Sequence, residues 1–248
     1  MKTDTASGGM SGNGHRRRLR EKFLQAGGKG FLDYELLELL LTFSIPRRDT
    51  KKQAKELLAR HRSLPGILDA PIQDLLKNSG IGESSALLIK LARSLMVRYL
   101  EEEIRRESYM GSSDKFCYFA RARLGEYADE VMMVFYLNTK NMLIDTEIVS
   151  EGTTDSVMIF PAAVARRALL HSAKAVVLCH NHPSGVVTPS PEDNAVTREV
   201  RKVLDPLKIL LLDHIVVSKY DYYSYRYADT RRVPSMRLLP PLLEERGK

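Results

Sequence analysis

A short apolar strand that ends in two histidines and runs on into a helix start constrains this chain more than any other feature. Ala175–Cys179 is a β-branched, apolar run and reads as a buried strand. His180 and His182 follow it two residues apart, and strand alternation points both imidazoles to the same face. Pro183 ends the strand and Ser184-Gly185 opens a loop. Ser190-Pro191-Glu192-Asp193 then carries helix-start signals, with Ser as N-cap, Pro at the first helical position and acids in the first turn. The chain therefore returns a carboxylate at a helix N-terminus beside two histidines. Two His and one Asp with a fourth position open is the ligand set of a catalytic zinc ion. Plainer readings exist for each part. Asp193 also fits as the acid of a capping box with Ser190, and the histidines also fit as solvent-facing. The tripeptide His180-Asn181-His182 is not the HNH nuclease motif, whose letters are spread over a longer ββα unit.

The pattern H-x-H-P-x6-S-x2-D, occupied by His180, His182, Pro183, Ser190 and Asp193, resembles the JAMM (MPN+) metallopeptidase motif. The longer string HNHPSG…PSPED, with DHIVV further on, resembles the bacterial RadC-type (UPF0758) branch, and the likeness extends from about Gly14 to Tyr227. The resemblance implies an α/β MPN fold, JAMM and cytidine-deaminase-like, at the C-terminal end. It also implies that Glu130, on the approach to the strand Val131–Leu137, is the general base, and that Ser190 donates to an oxyanion. Asp213-His214 resembles the DH pair of the family. The two side chains point to opposite faces of a strand, so one supports the site from behind and neither is a ligand. One departure stands out. RadC-type chains usually read His-Pro-Arg-Glu where this one reads Phe160-Pro161-Ala162-Ala163. That leaves the ligand set intact but alters contacts near this helix.

The first half of the chain has a different grammar. No strand pattern occurs before residue 110. Basic His15–Lys22, apolar Leu36–Leu41, Lys51–His61, a piece around Ile67–Asp69 and Ile72–Leu76 all read as helices, with Leu64-Pro65-Gly66 as punctuation. Gly80-Ile81-Gly82 between two helical segments looks like a helix-hairpin-helix, whose glycines bring backbone N–H groups close to a phosphate. Residues 1–110 hold 20 Lys and Arg against 14 Asp and Glu, and residues 111–248 hold 18 against 17. The net charge of +7 thus lies mostly in the helical half, where a DNA contact through Gly80, Ile81 and Gly82 is expected.

The expected organisation is a disordered tail over 1–14, an all-α helix-hairpin-helix domain over 15–107, an MPN/JAMM zinc domain over 114–229 and a loose tail over 230–248. The charged stretch Arg98–Glu107 is expected to link the two domains. In the second, a helix over Lys115–Leu124 precedes strands Val131–Leu137 and Met142–Val149, joined by a hairpin at Asn138–Asn141, with Glu151–Thr154 a loop. Helices Pro161–His171 and Pro191–Leu204 and strands Lys208–Val217 and Asp221–Tyr227 complete it. The hydrophobic share of 44% suits a packed core. The N-terminus carries no apolar signal region, no membrane-length run occurs, and Cys117 and Cys179 form no CxxC pair. A cytoplasmic protein with reduced thiols and no membrane partner is expected. The function these features predict is zinc-dependent hydrolysis of a peptide or isopeptide bond. The rival is a DNA-binding repair or recombination factor whose MPN domain is a metal-stabilised scaffold or nuclease.

Overall fold

The computed structural model describes residues 11–46, 48–151, 160–219 and 221–232. The chain forms two compact units that divide between Met96 and Val97, inside one long helix. The tails expected at 1–14 and 230–248 fall mostly outside the described residues. The parts that are described are structured, since a helix begins at Ser11 and the last strand runs to Arg232.

The first unit is helical. It contains α1 (Ser11–Ala26), α2 (Asp33–Leu41), α3 (Lys51–His61), α4 (Leu64–Asp69), α5 (Ile72–Leu76) and the first part of α6 (Glu83–Arg105). Leu37, Leu41, Leu57, Ile67, Leu75 and Ile89 fill its centre. Leu64-Pro65-Gly66 is not a break but the first turn of α4. Ser63 caps it by accepting from Gly66 N–H at 3.1 Å, and proline is tolerated where no intrahelical N–H is needed. The α5–α6 turn needs a glycine at position 80. Its φ is +77°, and the site of a Cβ lies 2.9 Å from Gln53 Nε2. Gly82 has no such requirement, with open space around it.

The second unit begins with the rest of α6. Arg98–Glu107 was expected as a linker, but it is helical to Arg105 and packed. Ile104 is buried, and the Arg105 guanidinium donates to Ile144 O at 2.7 Å. Then come α7 (Tyr109–Leu124, kinked at Ser112), β1 (Val131–Leu137), β2 (Leu143–Glu151), α8 (Pro161–Leu170), β3 (Ala175–Asn181) and α9 (Pro191–Leu204). A short 3-10 turn follows, then β4 (Leu210–Val217), β5 (Asp221–Ser224) and β6 (Asp229–Arg232). The expected strand Asp221–Tyr227 is therefore a shorter β5 followed by a turn and β6. Glu151 lies in β2, and the rest of the loop expected at 151–154 falls outside the described residues.

The six strands order as β2-β1-β3-β4-β5-β6, antiparallel throughout except for the β3–β4 pair. Helices cover both faces. Phe116 and Phe119 of α7 meet Phe135 edge-on, while Met132, Val134 and Tyr136 pack with α8 and α9 on the other side. Burial on both faces explains why VMMVFYL and AVVLCHN read as continuous apolar runs rather than alternating ones. The parallel β3–β4 pair requires a crossover, and α9 is that crossover. It sets the N-terminus of α9 beside the carboxyl end of β3, where open α/β sheets place their ligands. Among the described residues, no helix is long and apolar enough to cross a membrane.

Candidate metal centre

His180, the sixth residue of β3, is fully buried and faces α9. His182 follows the strand, and its backbone N–H prolongs the β3–β4 pairing by donating to Val217 O at 2.8 Å. A tight turn at Gly185, with φ +90°, then folds the chain back so that His182 Nδ1 lies 2.6 Å from Val186 O. A carbonyl only accepts, so Nδ1 carries the hydrogen and the Nε2 of the neutral ring is bare. Ser190 and Asp193 form the capping box of α9. Ser190 N–H donates to Asp193 Oδ2 at 2.7 Å, and Asp193 N–H donates to Ser190 Oγ at 3.0 Å. The other carboxylate oxygen, Oδ1, lies 3.0 Å from His180 Nε2. Asp193 is thus both cap and neighbour of the histidines, rather than one or the other.

These three side chains could hold a metal ion. Their facing atoms stand 2.9 Å (His180 Nε2 to His182 Nε2), 3.0 Å (His180 Nε2 to Asp193 Oδ1) and 3.5 Å (His182 Nε2 to Asp193 Oδ2) apart. Ligands about 2.0–2.1 Å from a tetrahedral ion lie about 3.3–3.4 Å from one another, so the donor set fits with little adjustment. Burial opposes ionisation of Asp193, yet the two imidazoles beside it and the Ser190 N–H hold its carboxyl far below the usual range. The same carboxylate, with Val186 O, lifts the His182 pKa against the effect of burial. Exposure increases outwards, from 0% at the His180 side chain through 10% at His182 and 13% at Asp193 to 28% at Glu130. The centre is a well with a carboxylate at its mouth. Glu130 Oε1 stands 3.8 Å from His182 Nε2, beside the triad and outside it.

Sequence reasoning missed the residue that places Glu130. Asn181, between the two histidines, points to the opposite face of β3 and is buried. Its Oδ1 accepts from Val131 N–H at 2.7 Å and its Nδ2 donates to Asp129 O at 3.0 Å. It therefore grips the backbone on both sides of Glu130. The only sequence signal was an amide in a buried strand, which must find partners.

The Asp213-His214 pair splits as strand alternation requires. Asp213 faces α7 and accepts from Tyr109 Oη at 2.7 Å, Ser224 Oγ at 2.6 Å, Arg226 N–H at 2.9 Å and His214 N–H at 2.7 Å. Burial raises its pKa even so, and it ties α7, β4 and the β5–β6 turn together away from the histidines. His214 faces α9, with Nε2 2.8 Å from His180 Nδ1 and Nδ1 2.7 Å from Thr197 Oγ1. Burial, with His180 next to it, holds its pKa well below the usual value. The Phe160–Ala163 segment opens α8, with Phe160 at the N-cap and 68% exposed.

Gly80, Ile81 and Gly82 belong to the helical unit. Ile81 is buried and its N–H donates to Asn78 O at 3.1 Å, so neither its side chain nor its amide is presented to a ligand. Gly80 and Gly82 line an open pocket of about 480 Å³ with Ser44, Arg48, Ser84 and Ser85.

A mixed sheet covered by helices, with an H-x-H strand end and a helix-borne Asp converging in one well, defines a JAB-type domain. Residues 110–230 match the RadC-like JAB domain, and residues 14–87 match the UPF0758 N-terminal domain. The chain is 36% identical over 219 residues to the UPF0758 protein FN0909 of Fusobacterium nucleatum subsp. nucleatum, covering 86% of this chain and 94% of that protein. It is 37% identical over 212 residues to the UPF0758 protein SPO0054 of Ruegeria pomeroyi, covering 86% and 95%. The chain belongs to the UPF0758 family of RadC-like JAB domain proteins.

Proposed function

We propose that this protein is a zinc-dependent hydrolase that cleaves a peptide or isopeptide bond. The observation that carries the reading is a carboxylate standing at the triad without belonging to it, Glu130 Oε1 at 3.8 Å from His182 Nε2. His180, His182 and Asp193 would hold the zinc ion, which would supply Lewis acidity and activate a water for attack near neutral pH. Glu130 takes the proton of the attacking water and delivers it to the leaving nitrogen, so one carboxylate serves as base and then acid. The Ser190 hydroxyl accepts from Asp193 N–H in the cap, which leaves its own hydrogen to donate to the oxyanion. The test is incubation of the zinc-loaded protein with peptide and isopeptide-linked substrates, with and without chelator. Chelator-sensitive cleavage is expected. Glu130→Gln should keep its zinc and lose about 10²–10⁴-fold in rate. Cleavage that survives both chelation and Glu130→Gln overturns the reading.

A second reading concerns the helical unit. The basic excess of the first half and the pocket lined by Gly80, Gly82 and Arg48 support a sequence-tolerant contact with a DNA backbone. Anisotropy titration of the full chain against duplex DNA at two salt concentrations tests it, with affinity expected to fall steeply with salt. Gly82→Asp, at a position with open space around it, should weaken binding without unfolding the unit. Full-chain binding that is absent at low salt rules the contact out.

A further inference from the structure

The hydrogen bonds behind His180 end on an atom that can only accept. Thr197 Oγ1 lies 2.6 Å from Asp193 O and 2.7 Å from His214 Nδ1. His214 Nε2 lies 2.8 Å from His180 Nδ1. A backbone carbonyl carries no hydrogen, so the Thr197 hydroxyl donates to Asp193 O. Thr197 then accepts, and His214 Nδ1–H is the donor. A neutral imidazole has one ring hydrogen, so His214 Nε2 is bare and accepts from His180 Nδ1–H. His180 Nε2 is left without a hydrogen, turned toward His182 and Asp193.

We infer that His214 and Thr197 are positioning residues that fix the tautomer of His180, and that the Asp193 carbonyl sets the direction of the whole chain. The inference rests on the reading of His180, His182 and Asp193 as a metal site. Both ends of the arrangement then belong to ligands. The Asp193 carboxylate faces the site, while its backbone carbonyl, through Thr197 and His214, decides which nitrogen of His180 does so. His214 is 1% exposed and Thr197 6%, so water does not compete for these bonds. Tyr225 stacks on the His214 ring at 5.0 Å and 9°, and spends its own hydroxyl hydrogen on Asn194 Oδ1 at 3.0 Å. Its ring therefore holds the imidazole in plane. His182 reaches the same protonation by a local route, through Val186 O. The result is two bare Nε2 atoms 2.9 Å apart beside a carboxylate, an arrangement that a cation between them stabilises.

The test reads the tautomer directly. Long-range ¹H–¹⁵N correlation spectra of the full-length, metal-free protein should show His180 and His214 both protonated at Nδ1. Thr197→Val keeps the branched shape and removes the hydroxyl. It should release both tautomers and weaken zinc binding, measured by competition with a chromogenic chelator, by about 10–100-fold. Thr197→Ser should restore the wild-type spectrum and affinity. A wild-type His180 carrying its hydrogen on Nε2 overturns the inference. So does a folded Thr197→Val protein with unchanged spectrum and zinc affinity. Should Thr197→Val fail to fold, the wild-type and Thr197→Ser spectra still decide. A wild-type protein with the expected tautomers but no affinity for zinc would sink the metal-site reading and leave the tautomer assignment standing.

Discussion

Among the described residues of the sheet unit, two clusters offer metal-ligand side chains close together, and they differ in what else satisfies them. One is His180, His182 and Asp193; the other is Asp145, Glu147 and His171, on β2 and at the end of α8. In the second, Arg167 meets Glu147 at 2.5 Å, His171 Nε2 meets Glu147 at 2.8 Å, and Arg105 lies 3.5 Å from Asp145. Its carboxylates are already answered by guanidinium groups, and the His171 ring stacks on Tyr136 at 4.4 Å. Among the described residues, the first cluster has no Lys or Arg ion pair to its acid. Its histidines spend their Nδ1 atoms on neutral groups and leave Nε2 toward the centre. Proximity of ligand types is therefore a weak criterion. An unanswered charge together with committed tautomers is a stronger one.

The comparison can be broken most directly with metal content. Wild-type protein should carry about one zinc per chain. His182→Ala should carry none, while His171→Ala and Asp145→Ala should match wild type by elemental analysis. Equal zinc in His182→Ala and wild type would reverse the ranking of the two clusters. A smaller effect is expected at Asn181. Asn181→Ala leaves the buried Val131 N–H without its acceptor, which should cost about 1–3 kcal/mol of stability in denaturant titrations. Zinc content should hold while turnover falls, because Glu130 loses its grip on both sides. Normal turnover in a folded Asn181→Ala protein would remove Asn181 from the site. The smallest effect belongs to Arg167→Met. Arg167 is 41% exposed, so its pair with Glu147 should contribute under about 1 kcal/mol once solvent screening is counted. In zinc titration calorimetry the first site should be unchanged and a second, weaker phase should open at Glu147. If no second phase appears, Arg167 is not what keeps the ion out.

Much of the centre was legible before the structure because its signals are local. Strand alternation put His180 and His182 on one face, and the Ser190-Pro191 helix start placed Asp193. The elements that resisted reading are those fixed by distant partners. Asn181 went unread because its partners lie about fifty residues upstream. Alternation separated Asp213 from His214 but did not say which faced the site. That depended on which face α9 covers. Arg98–Glu107 looked like a linker because its charges dominate, although a buried Ile104 and the Arg105 bond to Ile144 O anchor it. Leu64-Pro65-Gly66 carried break signals that Ser63 converts into a cap.

All three proposed ligands come from β3, the following turn and the first turn of α9, so His180 and Asp193 are thirteen positions apart. Glu130 joins from the residue just before β1, fifty positions before His180. Closing the longer loop costs on the order of 1 kcal/mol more in chain entropy, and it waits on antiparallel pairing of β1 with β3. During refolding of the full chain, the shorter loop can thus gather the proposed ligands before Glu130 is brought to them. Under the proposed hydrolysis, competence would come only with completion of the central sheet, because the base and the metal ligands meet nowhere else in the topology.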